Sequence, residues 1–292
     1  MTDSNKYTER AELLAKRDRA EAELNFALTG EPPYNWRTWA AGAVGEYHCR
    51  DHGPYTLYTL QLDVAGRNRL VKQSGCPDCL RQQLQEIEET LHANRVSELL
   101  DAAHIARRFE HCELDNYEAV NADAAVNRQA CEAYVSNWPK HLAAGTSMVM
   151  VGSCGTGKNH LAVGLAKKII RDHLATVLIT DVMRITRMVK STWRNDAART
   201  EADVLDHYAS LDLLIIDEVG VQFGSPSELA ILQEVINSRY ESMLPTILIS
   251  NLTLKQLKDS VSERIVDRVT EGGNNQLVFN WESYRGNGST AA

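Results

Sequence analysis

The sequence predicts an α/β fold in which a parallel β-sheet is sandwiched by helices, with a helical segment and a small cysteine-containing module before it. From about residue 109, short apolar segments alternate with longer helical patterns, which is typical of parallel sheets. The segment 211–217 reads LDLLIID and is apolar almost throughout, as expected for a strand buried on both faces. Before residue 83 this alternation is missing, which places the sheet in the second part of the chain.

Three smaller parts precede the α/β domain. Residues 5–28 carry Leu and Ala at helical spacing among charges, and Pro32 and Pro33 interrupt this pattern because proline lacks an amide donor. Residues 46–82 predict short strands and turns rather than a hydrophobic core. The predicted parts are an N-terminal helical segment (1–45), the cysteine-containing module (46–82), a helical connector (83–108) and the α/β domain (109–292).

Hydrophobic periodicity predicts the elements of the α/β domain in order. The predicted helices are 124–138, 158–173, one that follows an N-cap at Asp181, 226–241 and 254–269. The predicted strands are 147–151, 176–180, 211–217, 245–251 and 276–281. Because parallel strands end at the same edge of a sheet, ligands are expected at that edge.

Composition excludes several classes of protein. The chain has 292 residues and a formal net charge of −8, so any contact with nucleic acid is expected to be a local patch. No apolar run approaches the roughly 20 residues of a membrane span. The first residues are charged and lack the apolar core of a secretory signal. We therefore expect a reducing cytoplasm, where close pairs among the six cysteines indicate metal binding rather than disulfides.

A phosphate-binding loop lies between the first predicted strand and its following helix. Its glycines let backbone amides turn toward phosphate oxygens, Lys158 supplies a positive charge, and the helix N-terminus adds its dipole. Asn159 stands where Ser or Thr usually ligates magnesium; an amide oxygen also ligates hard cations, with a different reach. The predicted nucleotide contacts are Gly152, Ser153, Cys154, Gly155, Thr156, Gly157, Lys158 and Asn159.

Two carboxylates follow the buried strand 211–217. Asp217 is placed to hold magnesium, directly or through water, and Glu218 to polarise an attacking water. An ordinary solvated strand end is the alternative interpretation. Asn251, at the end of the next strand, is placed to orient that water against the terminal phosphate, although a strand-end asparagine is also common in turns.

Two groups of basic residues lie on predicted helices. Arg264 and Arg268 share one helix face and are candidates for an arginine finger offered to a neighbouring subunit, although such a pair is usually just solvated. The helix after Asp181 carries a basic stripe with Trp193 nearby, which suits single-stranded nucleic acid; an amphipathic helix with Trp193 in the core is the alternative. The stripe consists of Arg184, Arg187, Lys190 and Arg194.

Cysteine and histidine pairs in the module predict a zinc site. Cys49 and His52 form one pair, and Cys76 and Cys79 form the other, with the donor types and spacing of a closed tetrahedral site. Such a zinc is structural, because protein ligands fill all four positions. His48 competes with His52, but the C-x2-H spacing favours His52. The alternative is a pair of reduced thiols with an unrelated histidine.

Together these residues resemble the AAA+ ATPases, and within them the DnaC-type helicase loaders of bacteria and phages. The resemblance extends over about residues 105–286. It is carried by FEHCELDNY (109–117), GTGKNHLA (155–162), LLIIDEVGVQ (213–222), ERIVDR (263–268) and FNWESYR (279–285). Asn159 and His160 are thus similar to a loop variant of this family. The resemblance implies an AAA+ core with little or no helical lid, since only about 40 residues follow Asn251.

The resemblance also implies residue roles in an ATPase. Lys158 and Asn159 would contact ATP and Mg²⁺ beside His160, while Asn251 would be the first sensor. Asp217 and Glu218 would be the acidic pair of the site. Arg268 would be the arginine finger, with Arg264 as a competitor, and Arg285 would be the second sensor.

By the same resemblance, the protein would load the replicative hexameric DnaB-type helicase onto single-stranded DNA, with slow ATP hydrolysis as a timing switch and self-association on the helicase. Residues 1–108 would grip the helicase, and the DNA contacts would be Lys190, Trp193 and Arg194. A module that contacts DNA is less favoured, because acidic residues lie among its basic ones, Arg50, Arg67, Arg69 and Lys72.

Three other functions remain open at this point. An IstB-type transposition ATPase shares the core and would serve a transposase. A P-loop small-molecule kinase would need an acceptor pocket and an Arg-rich lid, which the sequence does not clearly offer. The third alternative is a binding module that senses ATP without hydrolysing it. Measured ATP turnover, with DNA and the partner present, would distinguish it from an ATPase.

Overall fold

The computed structural model describes residues 3–32, 39–64, 67–194, 196–220, 226–271 and 275–284. The chain divides into two compact units, Met1–Arg95 and Val96–Ala292. The four-part division inferred from the sequence stays a prediction.

The first unit combines a helix with a three-stranded antiparallel sheet. Its elements are α1 (Asp3–Thr29), β1 (Trp39–Cys49), β2 (Gly53–Val64), β3 (Arg67–Gln73) and the start of α2 (Pro77–Ala102). Phe26, Leu57 and Leu60 are buried, so this unit has an apolar interior. The prediction of short strands was wrong here, because β1 and β2 have 11 and 12 residues and pair along their length around a bulge. Gly and Ala in β1 hide the alternation that marks a long strand.

The second unit is built around a parallel sheet of five strands, in the order β5-β6-β7-β4-β8. The strands are β4 (Met148–Gly152), β5 (Val177–Asp181), β6 (Leu213–Asp217), β7 (Thr246–Ser250) and β8 (Gln276–Phe279). The helices after α2 are α3 (Ala122–Ser136), α4 (Trp138–Ala144), α5 (Lys158–His173), α6 (Val182–Ser191), α7 (Glu201–Ala209), α8 (Pro226–Glu241), α9 (Leu254–Val261) and α10 (Glu263–Thr270).

The two faces of this sheet bury alternate residues of each strand. Met150 and Ile215 lie in an apolar cluster with α3 and α5. Their neighbours Val151 and Ile216 lie in a second cluster with the helices α6 to α10. Helices therefore cover both faces, and the predicted α/β sandwich is confirmed. Because the strands are parallel, Gly152, Asp217 and Ser250 end at the same edge of the sheet.

The predicted helix 254–269 is in fact two helices. α9 begins with Thr253 as its N-cap and ends before Ser262, whose φ of 86° and ψ of 144° cannot continue a helix. α10 then begins at Glu263. The break gives the helix that carries Arg264 and Arg268 its own orientation. The helices α4 and α7 were not predicted.

A buried arginine lies at the opposite edge of the sheet. Arg239 of α8 is fully buried, and burial lowers the pKa of its guanidinium to about 10. It donates to the carbonyls of Leu211 (2.9 Å) and Pro245 (2.6 Å) and to the hydroxyl of Thr246 (3.0 Å). These acceptors lie where β6 and β7 begin, so Arg239 ties α8 to the starts of two central strands.

Candidate functional site

The glycine-rich loop connects β4 to α5, as the sequence predicts. Gly152 has a φ of 128°, and a Cβ there would lie 2.1 Å from the carbonyl oxygen of Phe279. Gly157 has a φ of 96° and is the N-cap of α5; a Cβ there would lie 2.7 Å from the ring of Tyr117. Both positions therefore require glycine for two reasons, the backbone conformation and the lack of space.

The Lys158 ammonium points into this loop. The side chain is 5% exposed, and Nζ donates to the carbonyl oxygens of Gly152 and Ser153, both at 2.7 Å. The loop thus places a cationic donor beside backbone amides and the N-terminus of α5. This arrangement suits an anion with several oxygen atoms, such as a phosphate chain.

Asn159 contacts the acidic strand. Its Nδ2 donates to Oδ2 of Asp217 at 2.7 Å, and the backbone N–H of Glu218 donates to Oδ1 of the same carboxylate at 2.7 Å. A carboxylate only accepts hydrogen bonds, so the amide must present its nitrogen to Asp217. Its oxygen is then the atom available for a hard cation. Glu218 has a φ of 58°, a conformation uncommon outside glycine.

A cavity of about 720 Å³ lies beside the loop and brings the predicted catalytic residues together. Asp217, Glu218 and Asn251 line one part of it, and residues 154–160 line another. The cavity is large enough for a ligand of nucleotide size. The predicted loop residues from Cys154 to Asn159 and the three catalytic candidates other than arginine thus share one site, while Gly152 and Ser153 do not line the cavity.

His160 also lines the cavity, but its ring is engaged with the segment 109–117. Nε2 lies 2.9 Å from the Glu113 carbonyl oxygen and 2.8 Å from Oδ1 of Asn116, which makes this nitrogen the protonated one. Burial lowers the pKa of His160, and the hydrogen bond to Glu113 opposes this only in part. His160 therefore fixes the cavity wall through its contacts with the chain.

The sequence did not predict an ionic network on the same wall. Arg171 donates to both carboxylate oxygens of Glu113 (2.7 and 2.9 Å), and the buried Lys167 pairs with the same carboxylate. Burial alone would raise the pKa of Glu113, but Arg171 and Lys167 hold it below its ordinary value. The one available signal was the spacing of Lys167 and Arg171, which places both on one face of α5.

The sequence also did not predict that Trp281 and Tyr284 contribute to the cavity. Trp281 and Tyr284 line the cavity. The Tyr284 backbone N–H donates to the Gly155 carbonyl (2.9 Å), and its hydroxyl donates to Oε2 of Glu118 (2.6 Å). Tyr284 therefore joins the loop to another part of the cavity wall. Arg285, the predicted second sensor, lies outside the described residues.

Arg264 and Arg268 do not line this cavity. They line a separate groove with Tyr240 and Glu271. Within one chain, the structure thus keeps the predicted arginine-finger residues apart from the acidic pair.

The four predicted zinc ligands in the first unit converge. Their ligand atoms all lie within 4.8 Å of one another. Cys49 Sγ is 3.6 Å from Cys79 Sγ, and His52 Nδ1 is 3.7, 3.8 and 3.3 Å from the sulfurs of Cys49, Cys76 and Cys79. A tetrahedral zinc with Zn–S bonds of about 2.3 Å has ligand–ligand edges of roughly 3.5–3.8 Å, so this donor set fits the metal. His48 is not part of the cluster.

The helix α6 buries an apolar face in the core and exposes the face that carries the basic residues. Ile185 and Val189 are buried, whereas Trp193 is 55% exposed, so the alternative that places Trp193 in the core is wrong. Trp193 donates to Glu201 (2.7 Å). Lys190 pairs with Glu228 at 3.0 Å, while Arg194 is exposed.

The strand order, the glycine-rich loop after β4 and the acidic pair after β6 define a P-loop ATPase of the AAA+ class. The family model described as "IstB-like ATP binding protein" matches residues 71–292. The chain belongs to this family, and it is an ATPase.

Curated relatives and a solved structure agree with this assignment. The chain is 33% identical over 193 residues to the replicative helicase loader DnaC of Buchnera aphidicola subsp. Baizongia pistaciae, which covers 66% of this chain and 77% of that protein. It is 30% identical over 200 residues to the replicative helicase loader DnaC of Escherichia coli (strain K12), covering 68% and 79%. A crystal structure of the DnaC helicase loader has the same fold, with a TM-score of 0.54 and 23% identity over 60% of this chain and all of that one.

Within the described part of the chain, every helix is too short or too polar to span a membrane.

Proposed function

We propose that this protein loads a replicative hexameric helicase onto single-stranded DNA and that ATP hydrolysis times the release. The observation that carries the proposal is the similarity to proteins named replicative helicase loader DnaC, at 30–33% identity over more than three quarters of their length. The Asn159–Asp217 hydrogen bond supports it, because it connects the unusual residue of the phosphate-binding loop to the acidic strand.

In this proposal the cavity binds ATP. The amides of residues 153–157 and Lys158 hold the phosphates, and Asn159 with Asp217 would hold magnesium. When bound, the metal supplies positive charge at the outer phosphates. Glu218 accepts the proton of the attacking water, and Asn251 orients that water. Arg268 of a neighbouring subunit completes the site, so assembly controls the rate.

Removing the carboxylate of Glu218 is expected to block hydrolysis while ATP still binds. Glu218→Gln keeps the shape of the side chain but is a poor base, so kcat should fall by about 100-fold or more. Lys158→Ala should abolish ATP binding itself. ATP affinity and turnover of both variants distinguish these effects, with Glu234→Gln on the exposed surface of α8 as the matched control. Turnover of Glu218→Gln equal to that of the control would remove Glu218 from the mechanism.

The cysteine–histidine cluster is, in our proposal, a structural zinc site. The fit of its distances to a tetrahedron supports zinc, and four protein ligands leave no position for a substrate. The unit that contains it is small, so the metal would stabilise its fold.

One zinc per chain is expected in protein purified without chelator, and Cys76→Ser/Cys79→Ser should lose it and unfold locally. His52→Ala should weaken zinc binding, whereas His48→Ala should keep it, because only His52 faces the thiols. Elemental analysis and circular dichroism measure both effects. Wild-type protein without bound metal, or equal zinc content in the two histidine variants, would refute the site.

The exposed side of α6 and the residues after it form, in our proposal, a contact for single-stranded DNA. Trp193 offers a stacking surface, and Arg187 and Arg194 offer exposed positive charge. Lys190 is expected to contribute less to DNA binding than the sequence predicts, because its ion pair with Glu228 must be broken before it can reach a phosphate.

Trp193→Ala is expected to weaken binding of single-stranded DNA about tenfold, the loss expected for one stacked base, while ATP binding is kept. Tyr47→Ala, which removes an aromatic side chain with 54% exposure in the other unit, is the matched control. Fluorescence anisotropy with labelled oligonucleotides measures both. Unchanged DNA affinity in folded Trp193→Ala protein would contradict the proposal.

We propose that the first unit binds the helicase. Leu70 and Val71 are about half exposed on β3 and offer an apolar contact. Lys72, a candidate for a competing DNA contact, instead pairs with Glu23 at 2.8 Å. Protein contact is therefore favoured over DNA contact for this unit.

The first test is a pull-down of the host replicative helicase by full-length protein, with and without ATP. Wild-type protein should bind, and Leu70→Glu/Val71→Glu should bind at least tenfold less, because charge at an apolar interface is costly to bury. Val126→Glu, at a 59% exposed site in the second unit, is the matched control. Failure of the wild-type protein to bind helicase would favour the transposition ATPase, and transposases would then be used as bait.

A further inference from the structure

We propose that Tyr240 is the positioning residue for Arg268, which it holds in the orientation that reaches the ATP of a neighbouring subunit. This inference rests on the role proposed above for Arg268. Tyr240 and Arg268 line one groove, which shares no lining residue with the nucleotide cavity. Among the described residues the groove is thus separate from the nucleotide cavity, which suits an arginine that acts on another chain.

The guanidinium of Arg268 lies over the ring of Tyr240. Its Cζ is 5.1 Å from the ring centroid, within the range of a cation–π contact. A carboxylate partner would also hold the arginine, but it would neutralise the positive charge and would accept hydrogen bonds from the guanidinium N–H groups. An aromatic face fixes the plane of the guanidinium and leaves its charge and its N–H groups for another acceptor.

A donor of Arg268 is left without an acceptor. In the part of the chain that the structure describes, Arg268 Nη1 is buried and has no hydrogen-bond partner. A buried donor without a partner is unfavourable, so an acceptor that reaches this guanidinium would be bound favourably. Oxygen atoms of a phosphate are acceptors that match the guanidinium.

The carboxylates around the groove are already engaged. Lys258 pairs with Asp267 at 2.9 Å and with Glu263 at 3.6 Å. The Glu271 carboxylate near the Tyr240 hydroxyl raises the pKa of this tyrosine. Glu263 and Asp267 thus have a cationic partner of their own, and the Tyr240 ring is the contact that orients Arg268.

The same observations distinguish the two candidate arginines. Arg264 lines the groove but is exposed, and no ring contact holds it among the described residues. Arg268 is half-buried and packs on the ring of Tyr240. A rigid donor loses less conformational freedom when it meets its acceptor, so Arg268 is the better finger.

Mixed assemblies test this inference, with full-length proteins on helicase and single-stranded DNA. A Lys158→Ala subunit offers its arginine but binds no ATP, and an Arg268→Ala subunit binds ATP but offers no arginine. Each alone should be inactive, and the mixture should regain hydrolysis. Adding Tyr240→Leu to the Lys158→Ala subunit should lower kcat of the mixture about tenfold, as expected for a lost cation–π contact. KM for ATP should stay the same, because the other subunit binds the nucleotide.

Two placements of the substitution serve as controls. Tyr240→Leu in the Arg268→Ala subunit should have no effect, since that subunit has no arginine to hold. Tyr240→Phe in the Lys158→Ala subunit keeps the ring and should retain most of the rate. A mixture that stays inactive would overturn the role of Arg268 in a neighbouring site, and this inference with it. A mixture that is active and insensitive to Tyr240→Leu, or equally impaired by it in either subunit, would overturn the inference about Tyr240 alone.

Discussion

The nucleotide site depends on a backbone contact between Gly152 and Phe279. The two residues are register partners at the ends of β4 and β8, and the Phe279 carbonyl oxygen occupies the space that a Cβ at residue 152 would need. The same carbonyl accepts a hydrogen bond from the amide of Ser153 at 2.8 Å. The last strand of the sheet therefore sets where the phosphate loop begins. Tyr284 adds a second contact at Gly155, so the loop is held by the C-terminal segment at two points.

The amide at position 159 changes how the loop is coupled to the acidic strand. A serine or threonine hydroxyl uses one oxygen both to donate to a carboxylate and to ligate a metal. In Asn159 these two tasks fall on different atoms, since Nδ2 contacts Asp217 and Oδ1 lies across the amide from it. The side chain spans the distance from α5 to the end of β6 in a single hydrogen bond of 2.7 Å. The asparagine thus keeps a contact with the acidic strand through its nitrogen and leaves its oxygen for another partner.

The parts of the site that could be predicted are those whose chemistry is concentrated in a short stretch of sequence. The glycine-rich loop, the acidic pair after a buried strand, and the pairs Cys49–His52 and Cys76–Cys79 each have a recognisable spacing, and the structure brings each set together. Contacts between distant residues leave no such pattern. The bond between Tyr284 and Glu118 joins residues 166 positions apart, and the bonds between Arg171 and Glu113 join residues 58 apart. The break at Ser262 was also hidden, because helical periodicity continues across it and only the backbone angle reveals it.

The burial of Arg239 explains how an exposed tyrosine can hold an arginine firmly. Arg239 and Tyr240 are neighbours at the end of α8, where a helix would otherwise fray. The bonds of Arg239 to Leu211, Pro245 and Thr246 fix this turn to the sheet. Tyr240 therefore starts from a rigid backbone, although 40% of it is exposed. Arg239, the Tyr240 ring and the guanidinium above the ring then form a series in which each group is oriented by the one before it. The sheet in this way orients an arginine that, in the described part of the chain, lines a groove separate from the nucleotide cavity.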